Sequence, residues 1–376
     1  MLRAARDRVF ALTDRVLVLV SPRVARRGIA IILPHGLGDL VLYTPTIRHL
    51  SAHYGDQPVL LIGSPRVRAY AETCLRSDRI IAFDRDRMRR DAWYRMRIIA
   101  TVARAGIRVI IQPAYNRVHW VDDALVRASR AAERIGSSGA PTFITDQERA
   151  RGDRWYTRLI AEPPGPMHDI ERSAAFAVAL SGDPPDRLMP QLMRPPRHPA
   201  APAGGYIVVA CEASSALKTW PAERFLDASL TVAAQTGMTV VLVGETQPAQ
   251  PSVHGSVVDL RGRTDLHGLI AILAHARIVL SNDSAPAHLA TALGVPVVAV
   301  GGGGMPGRYL PYPAGEPSAD RPRLVIIDPP WACFGCGWHC RYAPPHGAPA
   351  PCMTAITVDT VVAAALGVLE DTCRGS

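Results

Sequence analysis

Two doubly wound α/β domains joined by a proline-rich linker are the fold class this sequence predicts, and three observations predict it. Short apolar runs of strand character alternate with helix-length amphipathic stretches along the chain, as βαβ units on parallel sheets require. The alternation is broken once, by DPPDRLMPQLMRPPRHPAAPAGG at 183–205, where proline and glycine without periodicity describe a linker. A chain of 376 residues that is 48% hydrophobic and 20% charged has room for two cores and is globular. Two such domains would face one another across a cleft, with ligands at the carboxyl ends of the strands.

The elements follow in order. The opening segment, MLRAARDRVFALTDRVLVLVSPRVARR, has its apolar stretch interrupted by Asp14 and Arg15, and no small-residue cleavage site follows. Residues 1–28 therefore read as an amphipathic segment rather than an export signal. Such a helix packs on the body or rests on a membrane surface, and packing is the preferred reading. A first Rossmann-like domain, 29–185, has strands at 28–33, 58–63 and 107–112 and helices at 40–52, 94–105 and 168–180. The linker occupies 186–205. The second domain, 206–357, has strands IVVAC (207–211), TVVLVG (239–244), RIVLSN (277–282) and VPVVAV (295–300), with helices at 221–236, 265–275 and 285–293. A helix and tail, 358–376, close the chain. No apolar run approaches the ~20 residues of a membrane-spanning helix. Seven cysteines, an odd number without an export signal, point to a cytoplasmic protein with reduced thiols.

The formal charge of +9 predicts an acidic partner. Nucleic acid is not that partner, because no RNP motif, zinc-finger spacing or interleaving of aromatic and basic residues is present. A phosphorylated substrate or an anionic membrane surface suits the charge better. Much of the charge lies in FDRDRMRRDAWYRMR. Its Arg85, Arg87, Arg89 and Arg90 are candidates for contacting an anionic acceptor, against the plainer reading of a solvated helix face.

Three segments carry chemistry. In IAIILPHGLGDLVLYTPTIRHL, residues 29–50, a strand runs into a turn bearing His35, Gly36 and Gly38, and Asp39 stands at the start of a helix. Asp39 is either a helix N-cap or a carboxylate placed to take a proton from an acceptor hydroxyl, and the residues leave these evenly balanced. His35 and Gly38 belong to the same candidate acceptor side. The turn lacks the third glycine of a dinucleotide loop, which disfavours an oxidoreductase.

The second segment is ASSALKTWPAERF. Its Lys218 is the single lysine among 42 Lys and Arg residues. A compact ammonium on a flexible stem reaches phosphate or ribose oxygens as a point charge, which the wider guanidinium does less well. Ser214 and Ser215 precede it. In the third, VLSNDSAPAHLATALGVPVVAVGG, a strand ends at Asn282-Asp283-Ser284 and a helix opens at Ala285-Pro286. The free N–H groups of that first turn, the helix dipole and the Ser284 hydroxyl make an anion site, and His288 lies one turn further on. The alternative is a capping serine and a satisfied core histidine.

Taken together, LGDLVLYTPTIRHL, LKTWPAERF, SNDSAPAHLATALGVPVVAV and a cysteine cluster ending in CMTAITVDTV resemble glycosyltransferase family 9, the ADP-heptose:lipopolysaccharide heptosyltransferases and their relatives. The resemblance runs from about residue 29 to 368. It implies a GT-B fold, with the acceptor bound by the first domain and the nucleotide-sugar by the second. It also implies inverting, metal-independent transfer, in the cytoplasm or at the cytoplasmic face of the inner membrane. Asp39 matches the family's proposed general base, Lys218 its donor-phosphate lysine, and Ser214 and Ser215 the small hydroxyl residues before it. Asp283, Ser284 and His288 match the donor-binding D-[ST]-G-x-x-H pattern. Two departures stand out: Ala285 replaces the pattern's glycine, and GGGGMPGRYLPYP replaces the usual G-P-T.

Cys333, Cys336, Cys340 and Cys352 have the makings of a tetrathiolate iron or zinc site. The resemblance adds that one branch of the family holds iron with such cysteines, in a structural role. The expected function is transfer of a heptose from ADP-heptose to an anionic glycolipid of the lipopolysaccharide core. The alternatives are a protein acceptor, a nucleotide-sugar epimerase on the same scaffold, and a non-catalytic protein that binds sugar-nucleotides.

Overall fold

The computed structural model describes residues 2–22, 24–139, 145–247, 255–313, 322–326, 328, 330–342 and 344–374, and their side chains except at 2–9 and 373. The chain divides into two compact units. One comprises Met1–Gly165 and Ile170–Leu188, the other Pro166–Asp169 and Met189–Ser376.

In the first unit the strands are β1 (Ile29–Ile32), β2 (Val59–Gly63), β3 (Arg79–Ala82), β4 (Val109–Gln112), β5 (Glu133–Ser137) and β6 (Arg158–Ile160). Around them lie α1 (Leu2–Val20), α2 (Leu37–His53), α3 (Pro65–Cys74), α4 (Arg85–Arg90), α5 (Ala92–Ala103), α6 (Ala124–Ser129), α7 (Asp146–Asp153) and α8 (Asp169–Ser181). The sheet is wholly parallel, in the order β3-β2-β1-β4-β5-β6. Its central strands are buried at every position, which is why they read as unbroken apolar runs.

The second unit repeats the plan with β7 (Tyr206–Ala210), β8 (Thr239–Leu242), β9 (Val257–Asp259), β10 (Ile278–Asn282), β11 (Val297–Val300) and β12 (Arg323–Val325). Its helices are α9 (Ala222–Thr236), α10 (Leu266–Ala274), α11 (Ala285–Ala292), α12 (Pro351–Thr354) and α13 (Val358–Arg374). The strand order is β9-β8-β7-β10-β11-β12, again all parallel.

Both sheets change winding direction beside their first strand. The crevice at the carboxyl ends therefore falls between β1 and β4 in one unit and between β7 and β10 in the other. The sequence-predicted strands are all present. Five more, β3, β5, β6, β9 and β12, carry no comparable apolar signal: they run three to five residues, and exposed or half-buried positions break their patterns.

The opening helix packs on the first unit. Asp14 is buried against Arg95 of α5, with Nε bonds of 2.9 and 3.1 Å and a further short contact from Nη2. Leu17 and Val18 add to the core that Ile98, Ile99, Leu125 and Val126 form.

Candidate active site

Of the residues expected on the acceptor side, His35, Gly38 and Asp39 follow the carboxyl end of β1. Gly36, not Asp39, is the N-cap of α2, and Asp39 is the third residue of the helix. The N-cap reading of Asp39 is thus set aside by position. Its carboxylate folds back over Gly36, so that a Cβ there would displace Oδ2 from this position.

His35, one residue before, is hydrogen-bonded through Nε2 to Asp122 Oδ1 at 2.6 Å. Asp122 lies on a π-helical turn, His119–Asp123, that follows β4. The bond therefore crosses the switch point of the sheet. Asp122 is fully buried and also accepts from the Val118 N–H at 2.7 Å. Burial alone would raise its carboxyl, but the His35 imidazole, the Arg85 guanidinium and the Val118 N–H hold it below the ordinary carboxylate range. Asp123, next to it, turns into a separate buried network with Tyr156, Arg117 and His119.

Of the arginine run, Arg85 is close enough to hold the Asp122 carboxyl down. Arg87 pairs with Asp91 at 3.0 Å and lies over the Tyr94 ring, Arg90 is exposed, and Arg89 is half-buried. Gly38 sits in the first turn of α2.

The residues expected to bind a donor lie in the segments that follow the carboxyl ends of β7 and β10. Asn282, the last residue of β10, holds both ends of the intervening loop: its amide donates to Cys211 O at 2.7 Å and its Oδ1 accepts from Trp220 N at 2.8 Å. The clamped loop carries Ser214, Ser215 and a 3-10 turn, Ala216–Lys218. Lys218 is half-buried and makes no ion pair among the described residues.

Ser284 is the N-cap of α11, yet its side chain makes no capping bond; its hydroxyl lies 3.2 Å from Ser281 Oγ. In the first turn the Ala285 N–H is thus not capped by the serine, Pro286 has no N–H, and the Ala287 N–H donates to Ser284 O at 3.1 Å. His288 is buried, with Nδ1 2.9 Å from Tyr312 OH and Nε2 3.7 Å from Asp283 Oδ1. His168 joins this group edge-on to Tyr312 and hydrogen-bonds Tyr309 O at 2.7 Å. Burial pushes the His168 imidazole down to about 4, the Tyr309 carbonyl opposes that shift, and His288 adds to it. Asn282, His168 and Tyr312 were not assigned from sequence. Asn282 was legible only as part of a motif, and His168 lies far from its partners along the chain.

The cysteine loop lies on the glycine run that follows β11. Gly335 N and Gly337 N donate to Gly303 O and Gly304 O, each at 2.7 Å. Phe334 and Trp338 fill the space that Cβ atoms at 303 and 304 would take, so this packing requires the glycines that replace G-P-T. Cys333, Cys336, Cys340 and Cys352 line one cavity of about 20 Å³, enough for a single small occupant. Burial, and then the neighbouring thiols, push the Cys352 thiol up. The donor chemistry suits iron or zinc, but the spacing does not. Among the described residues, no three or more His, Cys, Asp or Glu side chains are close enough together to hold a metal ion.

Residues 146–316 match the family model of glycosyltransferase family 9 (heptosyltransferase). This stretch, somewhat under half of the chain, is similar to the family 9 domain. Family 9 enzymes are glycosyltransferases, and the chain is an enzyme of that class. Among solved structures, Escherichia coli ADP-heptose lps heptosyltransferase II superposes with a TM-score of 0.64 at 16% identity, covering 92% of this chain and 99% of its own. The E. coli heptosyltransferase WaaC with ADP-2-deoxy-2-fluoro heptose gives 0.61 at 16% identity, over 92% and 99%. The iron-containing dodecameric glycosyltransferase TibC of enterotoxigenic E. coli gives 0.57 at 14%, over 93% and 78%. At such identities the likeness establishes the fold, which is GT-B with two Rossmann-like domains. No curated protein matches the sequence.

Proposed function

We propose that this family 9 enzyme transfers a heptose from ADP-heptose to a hydroxyl of an anionic lipopolysaccharide-core glycan, with inversion at the sugar carbon. The observation that carries the donor half is the uncapped start of α11 beside the clamped Lys218 loop, both at the switch point of one sheet. The Ala285 N–H that Ser284 leaves uncapped, the helix dipole and an ammonium that makes no ion pair among the described residues suit a diphosphate. The WaaC and TibC structures solved with ADP-2-deoxy-2-fluoro heptose and ADP-D-beta-D-heptose support an ADP-heptose donor.

In the proposed reaction the acceptor oxygen attacks the sugar carbon as the bond to the diphosphate breaks. Asp39 takes the acceptor proton, and the electron pair leaves on the diphosphate oxygen. Lys218, the Ser284 hydroxyl and the start of α11 at Ala285 stabilise the charge that grows there, which supports a metal-independent reading. No step is assigned to the cysteine loop.

The test is calorimetric binding of ADP-heptose beside ADP, UDP-GlcNAc and GDP-mannose, with Lys218→Ala and Asp39→Asn. ADP-heptose is expected to bind best, and Lys218→Ala to weaken it by about 1.5–3 kcal/mol, the worth of a charge-assisted hydrogen bond. Asp39→Asn is expected to keep donor affinity and lower the transfer rate by about 10²–10⁴-fold. Equal binding of all four nucleotides, or an unchanged rate in Asp39→Asn, would sink the proposal.

A further inference from the structure

Few buried side-chain atoms among the described residues lack a hydrogen-bond partner, and three of them belong to residues at the carboxyl edge of the first sheet. They are His35 Nδ1, just after β1, Gln112 Oε1, at the last residue of β4, and Arg85 Nε, just after β3. An unmade hydrogen bond at a buried polar atom is costly, so three on one edge, around a switch point, call for a ligand.

The chemistry of the three atoms selects that ligand. Asp122 Oδ1 accepts from His35 Nε2, which puts a proton on Nε2 and, in the neutral imidazole, leaves Nδ1 as a lone-pair acceptor. Gln112 Oε1 is a second acceptor. Arg85 Nε–H is a donor, and its guanidinium is close enough to lower the Asp122 pKa. Two acceptors and one donor do not fit a phosphate or carboxylate, whose oxygens would meet two lone pairs. They fit the hydroxyls of a sugar, each of which can donate and accept.

We infer that His35, Gln112 and Arg85 form a subsite for the hydroxyls of the acceptor sugar, with Asp122 fixing the tautomer that lets His35 Nδ1 receive a hydroxyl proton in a hydrogen bond. The inference rests on the proposed function, since it assumes that the first unit binds the acceptor. His35 and Gln112 are substrate-contacting residues here, and Asp122 is a positioning residue.

Two substitutions at one position separate this role from a structural one. His35→Asn retains an acceptor near the Nδ1 position but loses the reach to Asp122. His35→Gln retains the reach to Asp122 but loses the Nδ1 acceptor. Initial rates are measured with ADP-heptose and a heptose-free lipopolysaccharide inner core, alongside calorimetric ADP binding and thermal melting. His35→Gln is expected to raise the acceptor KM about tenfold, the worth of one hydrogen bond, with ADP affinity unchanged. His35→Asn is expected to stay within about threefold of the wild-type KM.

The reverse ranking, or equal loss in both variants along with a lower melting temperature, would make the His35–Asp122 pair structural and overturn the inference. Wild-type protein that binds ADP-heptose but transfers nothing to this core would overturn the subsite as assigned. Wild-type protein that binds no ADP-heptose would overturn the proposed function instead.

Discussion

Asp39 lies with its carboxylate over the N-cap glycine of its own helix. With Gly36 as N-cap, the acid stands in the first turn of α2, where the helix dipole favours its charged form. Ser284 shows the converse, a residue of capping type that leaves its helix uncapped. His168 carries a pH signature. His168 titrates at about 4 in the folded protein, against ~6.5 for a free imidazole. Between those values the unfolded chain binds a proton that the folded chain refuses. His168 thus makes stability rise with pH across that window, and this contribution is lost as pH falls through it. The slope it adds is at most about 1.4 kcal/mol per pH unit. Urea unfolding at pH 7, 6 and 5 should show a flatter dependence in His168→Gln; an identical dependence would remove His168 as the source.

At the scale of elements, α1 is tied to the first unit through the ion pair of Asp14 with Arg95, both buried, and Arg95 Nη1 also donates to Trp120 O at 2.7 Å. Removing one member of such a pair leaves a charge buried without its partner. Asp14→Ala is therefore expected to cost about 3–5 kcal/mol in urea unfolding. A loss under about 1 kcal/mol, the range of surface pairs, would mean that α1 contributes little to the fold. The cysteine loop is the corresponding element of the second unit. Its backbone pairs with Gly303 and Gly304, and its aromatic rings take the place of side chains there. The departure from G-P-T is thus a packing solution shared by two segments.

At the scale of the whole molecule, the net charge of +9 meets an apolar stripe on α1. Leu12, Val16, Leu19 and Val20, at helical spacing, are 64, 49, 69 and 71% exposed, while Asp14 faces inward. No helix among the described residues is long and apolar enough to cross a membrane. A helix packed on one face and apolar on another suits peripheral contact with an anionic bilayer. Co-sedimentation with phosphatidylglycerol vesicles should exceed that with phosphatidylcholine and fall in the Leu12→Glu, Leu19→Glu double variant; equal binding to both lipids would count against it. The sequence by itself determined the two α/β sheets and their buried central strands, because burial on both faces of a parallel sheet writes an unbroken apolar run. Only the tertiary structure decided the short edge strands, whose pairing depends on neighbours rather than on their own residues. It also brought Asp122 to His35 across 87 positions and His168 to Tyr309 across 141, contacts that no local pattern records because the sheet order makes them.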